Sequence, residues 1–94
     1  MNKISWTEQA EDMYLEQLKF LLDSFPPDVA LKFDEKVEQL IKRLQSFGEL
    51  CPFSSKFPSL RKCRIDRYNS LVYRKDGHNI QIVALIDNRT NHDF

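Results

Sequence analysis

The sequence predicts an α+β domain of order β-α-α-β-β-β, a helical hairpin packed on a small, mostly antiparallel sheet that the N-terminal strand also joins. Three observations predict it. Apolar residues recur at three- and four-residue spacing through two stretches split by Phe25-Pro26-Pro27-Asp28. Three β-rich runs crowd into residues 60–86, and Asp76-Gly77, a strong hairpin signal, separates the last two. With 94 residues the chain has room for one domain, taken as 1–94, and none for a multi-layer enzyme.

Residues 2–6 are β-branched and aromatic and stop at Thr7, a helix N-cap followed by Glu8, Glu11 and Asp12 in the electropositive first turn. Ala10, Tyr14, Leu18, Leu21, Leu22 and Phe25 form the stripe of a half-buried helix ending near Ser24. Pro27 is allowed in the first turn of a second helix, in which Ala30, Phe33, Val37, Leu40, Ile41, Leu44 and Phe47 hold one face until Gly48 supplies a stop. The short connection makes the two helices antiparallel, each offering its stripe to the same third layer.

Residues 49–59 show no period and read as a loop whose Phe53 and Phe57 either cap the core or sit exposed, the core reading being favoured. The runs 60–65, 70–75 and 79–86 supply the strands. In the first, Lys62 and Arg64 alternate with Cys63 and Ile65, giving one basic and one buried face. The last is apolar on both parities, as expected of a central strand. Leu18, Leu22, Phe33, Val37, Leu40, Leu44, Val72, Ile82 and Ala84 are expected to meet in one core.

Apolar residues at 41%, charged residues at 30% and 11 aromatics are those of a globular protein, which excludes a disordered chain. Net charge is zero, which excludes a uniformly basic surface. The distribution is uneven: residues 1–50 carry six cations and ten anions, net −4, and residues 51–94 carry eight and four, net +4. The second half therefore faces something acidic. Cys51 and Cys63, without a CxxC motif or a Cys-rich framework, read as cytosolic thiols, neither a bridge nor a zinc site. No apolar run reaches the ~18 residues of a membrane helix, and the N-terminus lacks a targeting region, so a cytoplasmic protein with no membrane contact is expected.

The pattern resembles the RelE/ParE family of bacterial toxins of type II toxin–antitoxin modules, also known as plasmid stabilisation proteins. The residues that carry the resemblance are Ile4-Ser5-Trp6 with Ala10, Ala30 and Phe33 opening a second helix that ends in Leu44, and above all Leu60-Arg61, Tyr68, Leu71-Val72-Tyr73-Arg74, Ile80 through Ile86 and Asn88-Arg89. The resemblance implies a toxin that arrests growth and is neutralised by a cognate antitoxin, and it leaves two mechanisms: ParE-like inhibition of DNA gyrase, or RelE-like cleavage of mRNA on the ribosome. A degenerate member acting only by binding is a third reading. No cofactor or metal is implied.

Metal-free RNA cleavage needs a base for the ribose 2′-OH, an acid for the leaving oxygen and cations for the growing phosphate charge. For a nuclease the candidates are Arg61, Arg64, Arg74, Arg89, His92, Tyr68 and Tyr73, of which Arg61, Tyr73, Arg89 and His92 form the preferred set. Each has a plainer reading. His92 lies in a terminal tail; Tyr73 shares strand parity with Leu71 and packs in the core with its hydroxyl at the rim; Arg61 pairs with a carboxylate such as Asp87 or Glu49. His78, next to the Asp76-Gly77 turn, reads as solvated. Lys62, Arg64, Arg67, Arg74 and Lys75 form a charge cluster, solvated or binding, with Lys62 and Arg64 assigned to an acidic antitoxin segment. A pI near 6.7 and a loop carrying only Lys56 are poor equipment for docking on ribosomal RNA. The ParE-like branch is therefore favoured, with Arg61, Arg74, Arg89 and His92 as the residues expected to contact gyrase.

Overall fold

The computed structural model describes residues 1–89. The order is β1 (Lys3–Trp6), α1 (Glu8–Ser24), α2 (Pro27–Ser46), β2 (Arg61–Arg64), β3 (Asn69–Asp76) and β4 (Asn79–Asp87). The strands form one sheet in the order β1-β4-β3-β2. β2, β3 and β4 are antiparallel neighbours, and β1 lies parallel to β4 with Ile4 opposite Ile80 and Trp6 opposite Ile82. The expected architecture is present.

Local chemistry explains the element ends. The Thr7 hydroxyl oxygen accepts from the Ala10 amide at 3.0 Å, closing the first turn of α1. Phe25 and Pro26 alone separate the helices, and Pro27 opens α2 at a position whose amide needs no partner. Gly77 takes φ 60° in the β3–β4 turn, where only glycine does so without strain. Gly48 is not in the left-handed region; the chain leaves α2 at Phe47, with φ −132° and ψ 80°.

α2 is the main core helix. Ala30, Phe33, Val37, Leu40 and Leu44 are all buried, and each large aliphatic side chain among them contributes about 1.5–3 kcal/mol of burial. They meet Leu71 and Tyr73 of β3, Ile80, Ile82 and Leu85 of β4, and Cys63 of β2. α1 buries only Ala10 and Leu21. Leu22 was expected inside and is 56% exposed, because neighbours on a helix are 100° apart and Leu21 already occupies the inward direction. Leu18 is partly buried against the core. The expected single core is also divided: Val72, Ala84 and Ile86 form a second cluster on the opposite side of the sheet, with Leu60 and Val83 packed against it, while Met13 of α1 touches both clusters.

Strand alternation sets Val72 on the other side from Leu71 and Tyr73, and a β-bulge in β4 brings Ala84 and Ile86 to that side. Val72 pairs with Ala84 and Tyr73 with Ile82, so Val83 is an extra residue in β4. The bulge shifts strand parity by one. Ile80, Ile82 and Leu85 therefore share the helix-facing side, while Ala84 and Ile86 share the other. This accounts for the run that is apolar on both parities.

Three expectations for the second half are corrected. Cys51 and Cys63 are not free thiols; they are joined by a disulfide, with Cα atoms 5.3 Å apart. Cys63 alternates with Lys62 and Arg64 and so points to the helix-covered side, and the loop after α2 runs back along the β2 edge, with Phe53 bridged to Arg61. That return brings Cys51 beside Cys63, an approach no sequence spacing announces. Phe53 and Phe57 do not cap the core: they are 57% and 40% exposed. The loop is held from beneath by other groups, so its phenylalanines are left outside. Finally, among the described residues Arg61 pairs with no carboxylate. Its Nη1 donates to the Cys51 carbonyl at 2.7 Å and to the Glu49 carbonyl at 3.5 Å, and its guanidinium lies 3.9 Å from the Phe53 ring centroid.

Candidate functional site

Lys62 and Arg64 project from β2 to the side of the sheet turned away from the helical hairpin, since their cross-strand partners are Val72 and Ser70. There they line a depression of about 570 Å³ together with Arg67, Tyr68, Ser70, Asn88 and Arg89. The β2–β3 turn builds its wall. Asp66 Oδ1 accepts from the Tyr68 and Asn69 amides, both at 2.8 Å, an Asx-type turn that fixes Tyr68 outward. Arg64 Nε donates to the Asp66 carbonyl at 3.1 Å, so this arginine is oriented by the turn beside it.

β4 supplies the other wall. Ser70 Oγ donates to Asn88 Oδ1 at 2.6 Å, and the Asn88 amide nitrogen donates to the Tyr68 carbonyl at 2.7 Å. Asn88 thereby ties the end of β4 to the turn. Arg89 follows, bidentate on Asp87 (Nε to Oδ1 3.1 Å, Nη2 to Oδ2 2.8 Å) and 4.7 Å from the Tyr68 ring centroid. Hydrogen bonding to Asp87 raises the Arg89 pKa further above its ordinary value. Arg67 lies 5.7 Å from the same ring. One exposed tyrosine thus stands between two guanidiniums, with Lys62 and Arg64 alongside. Such an arrangement attracts anions, whether carboxylates or phosphates, and offers a ring to lie on.

The remaining sequence candidates lie elsewhere. Tyr73 is wholly buried, and its hydroxyl, expected at the rim, instead donates to the Gly48 carbonyl at 2.7 Å because the loop after α2 closes over it. Burial pushes its pKa up from 10.0, the Cys51 backbone and Arg61 opposing. Arg61 is on the helix-facing side, in register with Tyr73, engaged with loop carbonyls. Arg74 reaches Gln81 at 3.3 Å and lines a separate depression with Lys3 and Asp76. Lys75 points to the helix side and pairs with Glu49 at 3.8 Å, so it leaves the expected cluster. His78 occupies the β3–β4 turn and is exposed. His92 lies outside the described residues. Among the described residues, no group of three or more His, Cys, Asp or Glu side chains is placed to hold a metal, and no helix is long and apolar enough to cross a membrane.

Tyr68, Ser70 and Asn88 were not singled out as a group by sequence. The one available signal was Asp66 three residues before Asn69, an Asx-turn spacing that orients whatever lies between.

Comparison with known proteins now defines the class. The family model for the ParE toxin of the type II toxin–antitoxin system, parDE, matches residues 4–92. The chain belongs to that family of toxins. Among solved structures it is similar to the chromosomal ParDE system of P. aeruginosa, at 24% identity and a TM-score of 0.77, covering 93% of this chain and 96% of that one. The YoeB/ParE toxin of Agrobacterium tumefaciens follows at 18% identity and 0.67, covering 92% and 98%. A YoeB–YefM complex of Staphylococcus aureus matches at 22% identity and 0.63, covering 92% and 95%. No curated protein sequence matches the chain.

Proposed function

We propose that this toxin arrests growth by binding, as an inhibitor of DNA gyrase in the bacterial cytoplasm, and that a cognate antitoxin silences it through an acidic segment docked on Lys62 and Arg64. One observation supports a binding mode of action over proton-transfer chemistry: Tyr73, Arg61 and Arg89, three of the groups a nuclease would draw on, are engaged within the chain. The Tyr73 hydroxyl is buried on the Gly48 carbonyl, Arg61 is fastened to the 49–51 backbone, and Arg89 is paired with Asp87. A general acid or base must reach the proton it moves, and a buried phenol bonded to a backbone carbonyl does not. The YoeB–YefM complex among the structural relatives makes a protein antitoxin the natural partner class.

A second reading is ribosome-dependent mRNA cleavage. The Lys62, Arg64, Arg67 and Arg89 cluster around Tyr68 favours it, because phosphate backbones are held by such cations. Two assays separate the readings: supercoiling by purified gyrase, and primer-extension mapping of mRNA on translating ribosomes, each with wild type and His92→Ala. Inhibited supercoiling with intact mRNA is the expected result. Site-specific cleavage that disappears in His92→Ala, with supercoiling untouched, would replace the first reading by the second. Neither effect would leave a binding-only member.

A further inference from the structure

The cationic face does not end at Tyr68. Around the other side of the same turn lies a groove of about 570 Å³, between the tip of the helical hairpin and residues 66–69. Leu21, Val29 and Phe33 form its apolar floor, and Phe20 and Phe25 flank it in an edge-to-face pair with centroids 6.1 Å apart. Those two rings are 49% and 48% exposed. Adjacent half-exposed phenylalanines beside an open apolar groove form the kind of contiguous apolar patch that a partner can cover.

The rim identifies the occupant. Lys32, Lys36, Arg67 and Arg89 surround the groove against two carboxylates, Asp28 and Asp66. Hydrogen bonds to the turn amides leave the Asp66 charge in place, Asp28 lies 3.9 Å from Lys32, and Arg89 is already paired with Asp87. Four cations against these three carboxylates leave the rim at net +1. The other apolar groove on the hairpin, beside Trp6 and Tyr14, has the opposite sign: Glu11, Asp34 and Glu38 line it with Lys42 as its one cation. An acidic segment fits the first groove and is repelled by the second. Arg67, Tyr68 and Arg89 line both this groove and the cationic depression on the sheet, so the two surfaces are continuous.

We propose that the hairpin-tip groove is the anchor pocket for an acidic partner segment that crosses the Lys62/Arg64 face, rounds Tyr68 and inserts an aromatic or branched aliphatic side chain between Phe20, Phe25 and Val29. The inference rests on the antitoxin reading above and adds where the segment goes and what its anchor is. Charge steers the segment and the apolar insertion holds it. Its sequence signature is a bulky apolar residue flanked by Asp or Glu.

The test uses the full-length toxin and the protein encoded by the adjacent reading frame as probe, with binding followed by calorimetry. Phe25→Asp and Lys36→Glu alter exposed groove positions; Lys42→Glu alters the acidic groove and is the control. Circular dichroism verifies that each variant is folded. At least tenfold weaker binding for Phe25→Asp, with Lys42→Glu unchanged, is expected, equivalent to about 1.4 kcal/mol. Overlapping short peptides of the same probe should identify one acidic stretch whose binding is lost when its apolar anchor becomes Ala. Wild-type binding that neither groove variant weakens would overturn the anchor pocket and leave the antitoxin reading standing. Absence of wild-type binding would remove both. Should the peptide that binds be basic, the assigned chemistry is wrong.

Discussion

Replacing Tyr73 with Phe removes one oxygen from the most deeply buried aromatic of the fold, and it separates a structural from a catalytic tyrosine. The hydroxyl donates to the Gly48 carbonyl at 2.7 Å, fastening the exit of α2 to the middle of β3. A hydrogen bond of this kind contributes about 0.5–1.5 kcal/mol net, and the carbonyl left without its donor brings the expected loss to roughly 1–3 kcal/mol. For a domain of this size that is about 4–8 °C in Tm per kcal/mol. The substitution also changes the pH dependence. Burial raises the Tyr73 pKa above 10.0, so the folded state retains a proton that the unfolded state releases first. This contribution is fully present below pH 10.0 and is lost as pH rises through the higher folded pKa, because there the unfolded state binds fewer protons. Urea unfolding at neutral pH and at a series above pH 10 measures both effects. Wild type should lose stability along the alkaline limb more steeply than Tyr73→Phe. Equal midpoints at neutral pH would refute the buried hydrogen bond, and equal alkaline slopes would refute the burial argument. Growth arrest should survive the substitution; its loss by ~10²–10⁴ in a protein of unchanged stability would mark Tyr73 as a proton donor.

Leu44 is wholly buried on α2, and Leu44→Ala should cost about 2–5 kcal/mol in chemical denaturation, whereas Leu22→Ala on the exposed side of α1 should stay within about 0.5 kcal/mol. The Cys51–Cys63 bridge closes a loop of sequence separation 12, so reduction should lower stability by about 3 kcal/mol, read as the difference in Tm with and without a dithiol. The fold should persist in the reduced protein, because Arg61 and Tyr73 hold the same loop. Asp66→Ala strips the Tyr68 and Asn69 amides of their acceptor and should cost about 1–3 kcal/mol, with faster hydrogen exchange at those two amides as its signature. Association with the antitoxin should slow as salt rises, and Lys62→Glu/Arg64→Glu should abolish that dependence; a salt-independent rate in wild type would contradict steering by the sheet face.

Local chemistry made the element order legible. Thr7, Pro27 and Asp76-Gly77 each impose a backbone state on their immediate neighbours, and the stripe from Ala30 to Leu44 admits one inward face, so these features were readable residue by residue. The basic alternation of Lys62 and Arg64 against Cys63 was likewise a strand-period fact. What the tertiary structure alone decided depends on approach between distant segments. The bulge at Val83 arises from pairing two strands and shifts which side Ala84 and Ile86 occupy. The return of the 47–60 loop along β2 joins Cys51 to Cys63, turns Arg61 into a brace for backbone carbonyls and leaves Phe53 and Phe57 outside. The meeting of Tyr68 and Asn88 with the cations across 20 residues of chain, and of the hairpin tip with the β2–β3 turn, follows from how the layers stack. Periodicity reports which side of an element faces inward; only packing determines what it meets there.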